Sequence, residues 1–315
     1  MQRLGVTFPL FPLDVRASCE AATRAEQLGY TDAWTAEVSG PDGLSVATAL
    51  GVVTESMRIG CAIVPAFTRP PALLAMGALA AHQASGGRFV LGIGASSPTI
   101  VGSWMGIPFE KPLKRVRDTL DVLRAALAGE KVTAESESFA VDGFRLEGAA
   151  PELPIYLAAL GPKMLALAAE SADGVALYLG AEDGVRIARR AVGDKEIVER
   201  IVCVPDVPVE DVLPMLKFQM APYLAVPAYN RYLRAQGFEA EAEAVATRWG
   251  SGDRKGAVEA ISDELVDALA LIGPAERCKE RLESFREAGL DTPILMLISP
   301  TGPDGALQAL ARMSP

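Results

Sequence analysis

Short apolar runs and amphipathic helical stretches alternate along this chain from end to end, and no other feature narrows its possible folds as much. The runs are "RLGVTF", "YTDAWTAE", "MRIGCAIVP", "RFVLGIG", "LPIYLAAL", "DGVALYL", "KEIVERIVCVP" and "TPILMLI". Helical patterns separate them, such as "DVRASCEAATRAEQLG" with Gly29 as its stop signal and "PPALLAMGALAAHQASGG" with proline at its opening. Strands apolar on both faces and joined by helices belong to a parallel sheet that helices cover. Eight such units in 315 residues predict a closed α/β barrel of the TIM (β/α)8 type carrying insertions. A doubly wound open sheet is the competing arrangement. Two segments lie outside the repeat: 131–148 alternates like a hairpin, and 209–270 is mostly helical and too long for one crossover. No Pro/Gly/Ser-rich linker divides the chain, so residues 1–315 are expected to form one domain.

The net charge of −10 and the scatter of Arg and Lys along the helices argue against nucleic acid and anionic membranes as partners, since both need a clustered basic face. Cys19, Cys61, Cys203 and Cys278 show neither disulfide nor metal-site spacing and read as free thiols. The start "MQRLGVTFPLF" lacks a signal-peptide pattern, and no apolar run approaches the ~20 residues that span a bilayer. A cytoplasmic protein is expected. The only histidine, His82, falls near the end of a helical pattern, before Gly86 and Gly87, where a cation suits the helix terminus. A histidine metal centre or a Ser-His or Cys-His nucleophile would depend on it alone, and no metal site is expected.

A barrel of this kind keeps its chemistry at the C-terminal ends of its strands. Those ends carry Phe8, Trp34 to Glu37, Cys61 to Pro65, Gly94 to Ser97, Ala158 to Pro162 and Tyr178 to Gly180. Glu37 is the one carboxylate among them, whereas a hydrolase needs paired carboxylates, a metal or an activated nucleophile. A rim of small, apolar and hydroxyl residues suits a bound cofactor that carries the reactivity itself. The stretch "RFVLGIGASSP" is not the dinucleotide fingerprint, because Ser97 holds the third-glycine slot and the next helix begins only near Pro112. Its glycines, Gly92 and Gly94, instead let something flat approach the backbone. In "AALGPKM", Pro162 opens a helix whose free N–H groups, with Gly161 and Lys163 beside them, would make an anion site. An ordinary strand-to-helix turn reads equally well there.

Six stretches in order now carry a resemblance: "AEQLGYTDAWTAE", "RIGCAIVPAFTRPPALLA", "SGGRFVLGIGASSP", "WMGIPFEKPLKRVRDTLDVLRAALAGE", "LPIYLAALGPKMLALAAESADGV" and "EAGLDTPIL". Together they resemble the luciferase-like monooxygenase superfamily, in its branch of deazaflavin (coenzyme F420)-dependent oxidoreductases. The stretch from Trp104 to Pro112 is similar to the actinobacterial F420 type more than to the flavin branch. The resemblance implies a bacterial luciferase-like barrel with a cofactor ring across its mouth and a phosphate side chain reaching the helix after the fifth strand. It implies cofactor contacts at Glu37, Cys61, Ala62, Ile63, Gly94, Ala95 and Ser96, and at Ala158, Ala159, Leu160, Gly161 and Pro162. It places the family's bulge, often a non-prolyl cis peptide, at Cys61–Ala62, and makes Glu37 the candidate catalytic residue. Phe8, Trp34 and Trp104 are candidate walls of a substrate pocket.

Relatives that oxidise glucose 6-phosphate carry a histidine just after the strand-two acid and a glutamate in the strand-four loop. Val38, Ser96 and Ser97 stand here instead, so that substrate is not expected. The implied reaction is hydride transfer between C5 of the deazaflavin and a small or medium organic substrate. An FMN-dependent two-component monooxygenase and a non-catalytic flavin- or deazaflavin-binding protein are the alternatives. Homodimerisation through the second and third helices is also implied.

Overall fold

The computed structural model describes residues 2–315. In chain order the first half contains β1 (Gly5–Thr7), α1 (Val15–Gln27), β2 (Asp32–Thr35), α2 (Gly43–Val53), β3 (Arg58–Pro65), α3 (Pro71–Ala84), β4 (Phe89–Gly94) and α4 (Pro112–Leu127). There follow β5 (Lys131–Glu135), β6 (Ala140–Arg145), β7 (Ile155–Ala158), α5 (Pro162–Ser171), β8 (Gly174–Tyr178), α6 (Glu182–Val192) and β9 (Glu196–Pro205). Five helices come next: α7 (Val209–Leu224), α8 (Pro227–Ala235), α9 (Glu239–Gly250), α10 (Arg254–Glu259) and α11 (Asp263–Leu269). The chain ends with β10 (Ala270–Gly273), α12 (Ala275–Glu287), β11 (Thr292–Leu297) and α13 (Gly302–Arg312).

The local chemistry accounts for many helix starts. Asp14 and Asp42 cap α1 and α2, accepting from the backbone N–H groups of Ala17 and Ser45 at 2.8 and 2.7 Å. Pro71, Pro112 and Pro162 sit in the first turns of α3, α4 and α5, where a missing N–H costs nothing.

Strands β9, β11, β1, β2, β3, β4, β7 and β8 lie side by side in parallel, and β8 pairs back onto β9. The sheet is therefore a closed TIM barrel, and the open-sheet alternative falls away because no edge is left. β5 and β6 form a separate antiparallel hairpin. β10 extends the sheet: it pairs with Val202 to Pro205 of β9, beyond the point where β8 stops at Arg200. Neither β10 nor α13 is among the elements predicted from sequence. β10 spans only four residues between two helices, too few to show a period. The stretch before α4 contains a π-helical turn, Thr99–Trp104.

Side-chain alternation sorts each strand into an outward face under the helices and an inward face in the lumen. The outward residues, such as Val6, Ile59, Leu91, Leu157 and Ile197, join the inner faces of the helices in the largest core cluster. Trp34, Val90, Tyr156, Ala176, Val198 and Ile294 fill the lumen. A third cluster ties α7 to α11 onto the ends of β9 and β10 and covers part of the C-terminal mouth.

Candidate active site at the barrel mouth

The floor of the lumen is an ion cluster. Arg58 on β3 holds Glu196 on β9 with two hydrogen bonds of 2.7 Å and also pairs with Asp32 on β2. Thr292 donates to the same Glu196 at 2.6 Å, and Tyr156 donates to it as well. Burial pushes the Glu196 carboxyl up, but the bonds and charge of Arg58, with the Thr292 and Tyr156 hydroxyls, bring it down to about 2. This cluster closes the N-terminal end of the barrel. His82, also buried, ends α3 on that side and lies 3.0 Å from Glu152.

At the opposite end β3 carries a bulge. Cys61 pairs with Leu91 but Val64 pairs with Ile93, so β3 spends one residue more than β4 between the two. The extra residue lets both Ala62 and Ile63 reach the lumen cluster, whereas a regular strand would present only one. A non-prolyl cis bond is present, but it joins Ala62 to Ile63, one residue beyond the predicted Cys61–Ala62. The Cys61 side chain does not face the mouth. It is fully buried beneath α2, next to Gly43, and that burial pushes its thiol up to about 12.

The two glycines of β4 have a different reason to be glycines than the one expected. A Cβ on Gly92 would lie 2.5 Å from the Cys61 carbonyl oxygen and 3.2 Å from the Ala62 Cα. A Cβ on Gly94 would lie 2.8 Å from Ala158 Cβ and 2.9 Å from Ile63 Cδ1. They make room for the bulged β3 and for β7. What remains accessible at the mouth is Ala62, Ile63, Ala95 and Ala158, with half-buried Ser96 in the left-handed region at φ 64°.

Glu37 lies at the edge of this floor, half-buried, with its backbone N–H donating to the Ile63 carbonyl. Its carboxylate accepts from Arg69 at 2.7 Å, and Arg69 also binds Asp42 at the start of α2. Glu37 is thus one arm of an ion-paired clasp. Arg69 went unnoticed in the sequence because it belongs to a loop, not to a strand end.

The turn after β7 divides in two. Ala159 is buried, with its N–H bonded to Ala176, and Leu160 packs on the main core. Gly161, Pro162 and Lys163 are exposed at the start of α5, no side chain caps that start, and nothing lies within 4 Å of a Cβ added to Gly161. Uncapped N–H groups in open space form a site for an anion.

The three aromatic candidates separate. Trp34 is wholly buried in the lumen over Gly60, so it underlies the mouth and does not wall a pocket above it. Phe8 is likewise buried in the main core. Trp104 stands exposed at the end of the π-helical turn.

Of the aromatic residues that do reach the mouth, only Tyr178 stands at a strand end that the sequence marks. Tyr178, two residues beyond lumen-facing Ala176, packs edge-on against Tyr223 of α7 and Tyr229 of α8 at 5.5 and 6.3 Å. Arg200, two beyond lumen-facing Val198, stacks 4.3 Å from the Tyr178 ring centre. The available signal was an arginine in the middle of "KEIVERIVCVP", on the same strand face as Glu196, in a strand that reads as buried.

Comparison with known proteins adds identity to this geometry. The family described as luciferase-like monooxygenase matches residues 11–292. The chain is 28% identical over 296 residues to 5,10-methylenetetrahydromethanopterin reductase of Archaeoglobus fulgidus, covering 89% of this chain and 88% of that one. It is 29% identical over 304 residues to a Mycobacterium tuberculosis protein provisionally named a coenzyme F420-dependent oxidoreductase, with 86% and 88% covered. Among solved structures, the coenzyme F420 dependent tetrahydromethanopterin reductase of Methanopyrus kandleri superposes with a TM-score of 0.80 at 21% identity, over 99% and 97% of the two chains.

Proposed function

The chain belongs to the luciferase-like monooxygenase family, and from that premise we propose that it is a coenzyme F420-dependent oxidoreductase, moving hydride between the deazaflavin and a small or medium organic substrate. The make-up of the mouth carries this reading. Its accessible floor is Ala62, Ile63, Ala95 and Ala158, its nearest carboxylate is engaged by Arg69, and the one histidine ends α3 at the far end of the barrel. Side chains of this kind bind and orient a reactive group and leave the chemistry to it. The F420-dependent relative supports the choice of cofactor.

The residues fit a flat ring that carries a phosphate chain. The Thr7 hydroxyl and the Trp34 indole N–H are buried without a protein partner beneath the mouth, and the uncapped start of α5 with Lys163 suits a phosphate. When bound, the deazaflavin supplies a carbon that accepts or gives hydride. The chain's own part is positional. Ala62 and Ile63 support one face of the ring, α5 anchors the phosphate, and the cap formed by α7 to α11 keeps water from the β8–β9 side. A homodimer belongs to the same proposal: Val52 and Val53 of α2 and Leu73 and Met76 of α3 stand exposed on adjoining helices.

Titration with coenzyme F420 and separately with FMN, followed by tryptophan fluorescence, tests the cofactor, because Trp34 lies directly under the site. Micromolar binding of F420 with much weaker FMN binding is expected. The reverse order points to the oxygen-dependent monooxygenase, and binding of neither refutes the proposal.

A further inference from the structure

Arg200 is a half-buried cation that makes no hydrogen bond and no ion pair with any described residue. Its neighbour in sequence, Glu199, cannot neutralise it. Adjacent strand residues face opposite sides, and Glu199 points outward, where it accepts from the Gly180 N–H at 2.7 Å. The guanidinium carbon lies 4.3 Å from the Tyr178 ring centre, and Tyr223 and Tyr229 complete a trio whose rings stand 5.5 to 6.3 Å apart. A cation–π contact uses the charge of the guanidinium and none of its N–H donors, which stay free. Half-buried, Arg200 leaves those donors to water until an anion arrives to meet them.

Building on the F420 reading, we propose that Arg200 is a specificity residue that receives the carboxylate of a planar, largely apolar substrate, whose body packs against the Tyr178–Tyr223–Tyr229 trio. One planar fork matches a carboxylate, which two parallel N–H groups bind. A phosphate dianion recruits more donors than this corner offers. The cofactor's own phosphate is served elsewhere: α5 follows β7, two strands from β9, a separation of about 10 Å at the usual strand spacing.

The test uses benzoate as the probe and benzamide as its uncharged isostere, each titrated calorimetrically into the protein after F420 has been titrated in the same cell. Benzoate is expected to bind at least about tenfold more tightly than benzamide, the scale of one charge-assisted contact. Arg200→Met is expected to remove that preference while F420 affinity stays within about twofold, and Arg200→Lys to retain part of it. Equal binding of the two probes by the unaltered protein overturns the proposal without any variant. So does an Arg200→Met protein that still prefers benzoate, or one that has lost F420, since the arginine then serves the cofactor. If F420 itself fails to bind, the functional reading fails, and the benzoate–benzamide comparison on the cofactor-free protein still decides the role of Arg200.

Discussion

At Gly60 an added Cβ would lie 2.2 Å from the Trp34 ring, a contact no side-chain rotation of alanine relieves. Gly60→Ala is therefore expected to destabilise the fold by about 1–3 kcal/mol in urea denaturation. Paired with Trp34→Leu, which empties the same space, it is expected to cost less than the sum of the two changes. Additive effects would mean that the two residues do not share the lumen. Glu196 gives a pH signature. Its folded-state carboxyl lies near 2 against an ordinary value of 4.5, so its stabilisation is present above 4.5 and lost as pH falls toward 2. The shift corresponds to a loss on the order of 3 kcal/mol across that window, and Glu196→Gln is expected to flatten the slope of the urea midpoint there. Residues of this kind were poorly legible beforehand. The sequence shows a glycine, a tryptophan and a glutamate on different strands, but only barrel closure makes them neighbours. Arg200 was hidden for the same reason, while Ala62, Ile63 and Ala158 were found because a strand end can be located one strand at a time.

Elements were easier to read than their irregularities. The eight strand patterns and the hairpin appear where apolar period and turn residues place them. The β3 bulge is another matter. It depends on how Cys61 and Val64 register against Leu91 and Ile93, which one strand's composition does not encode, and so the cis bond falls one residue beyond its expected place and Cys61 turns outward. The start of α5 was legible because proline after glycine at a strand end specifies an uncapped helix N-terminus. Gly161 has an ordinary φ of −108° and open space around it, so Gly161→Asp fits without strain. The aspartate caps α5 and holds thermal stability within a few tenths of a kcal/mol or raises it. It also puts a negative charge where the cofactor phosphate is proposed to bind, and an increase of about tenfold or more in the F420 dissociation constant is expected. Unchanged affinity would place the phosphate elsewhere.

On the scale of the whole molecule, closure of the barrel is what turns scattered strand ends into one site. It sets the ion cluster of Arg58 and Glu196 at one end and leaves the other to small residues, the Glu37–Arg69 clasp and the aromatic corner under the cap. The exposed residues of α2 and α3 lie on the outer ring. Val52→Glu with Met76→Glu is accordingly expected to convert a dimer to a monomer in sedimentation equilibrium and to leave F420 binding intact. A protein already monomeric before substitution would end the dimer proposal. A crystal structure of the F420 complex decides whether the C-terminal mouth holds the deazaflavin. The ring is expected against Ala62, Ile63 and Ala158, with its phosphate at the N-terminus of α5. A ring bound anywhere else on the molecule, or a phosphate remote from Gly161 and Lys163, would contradict it.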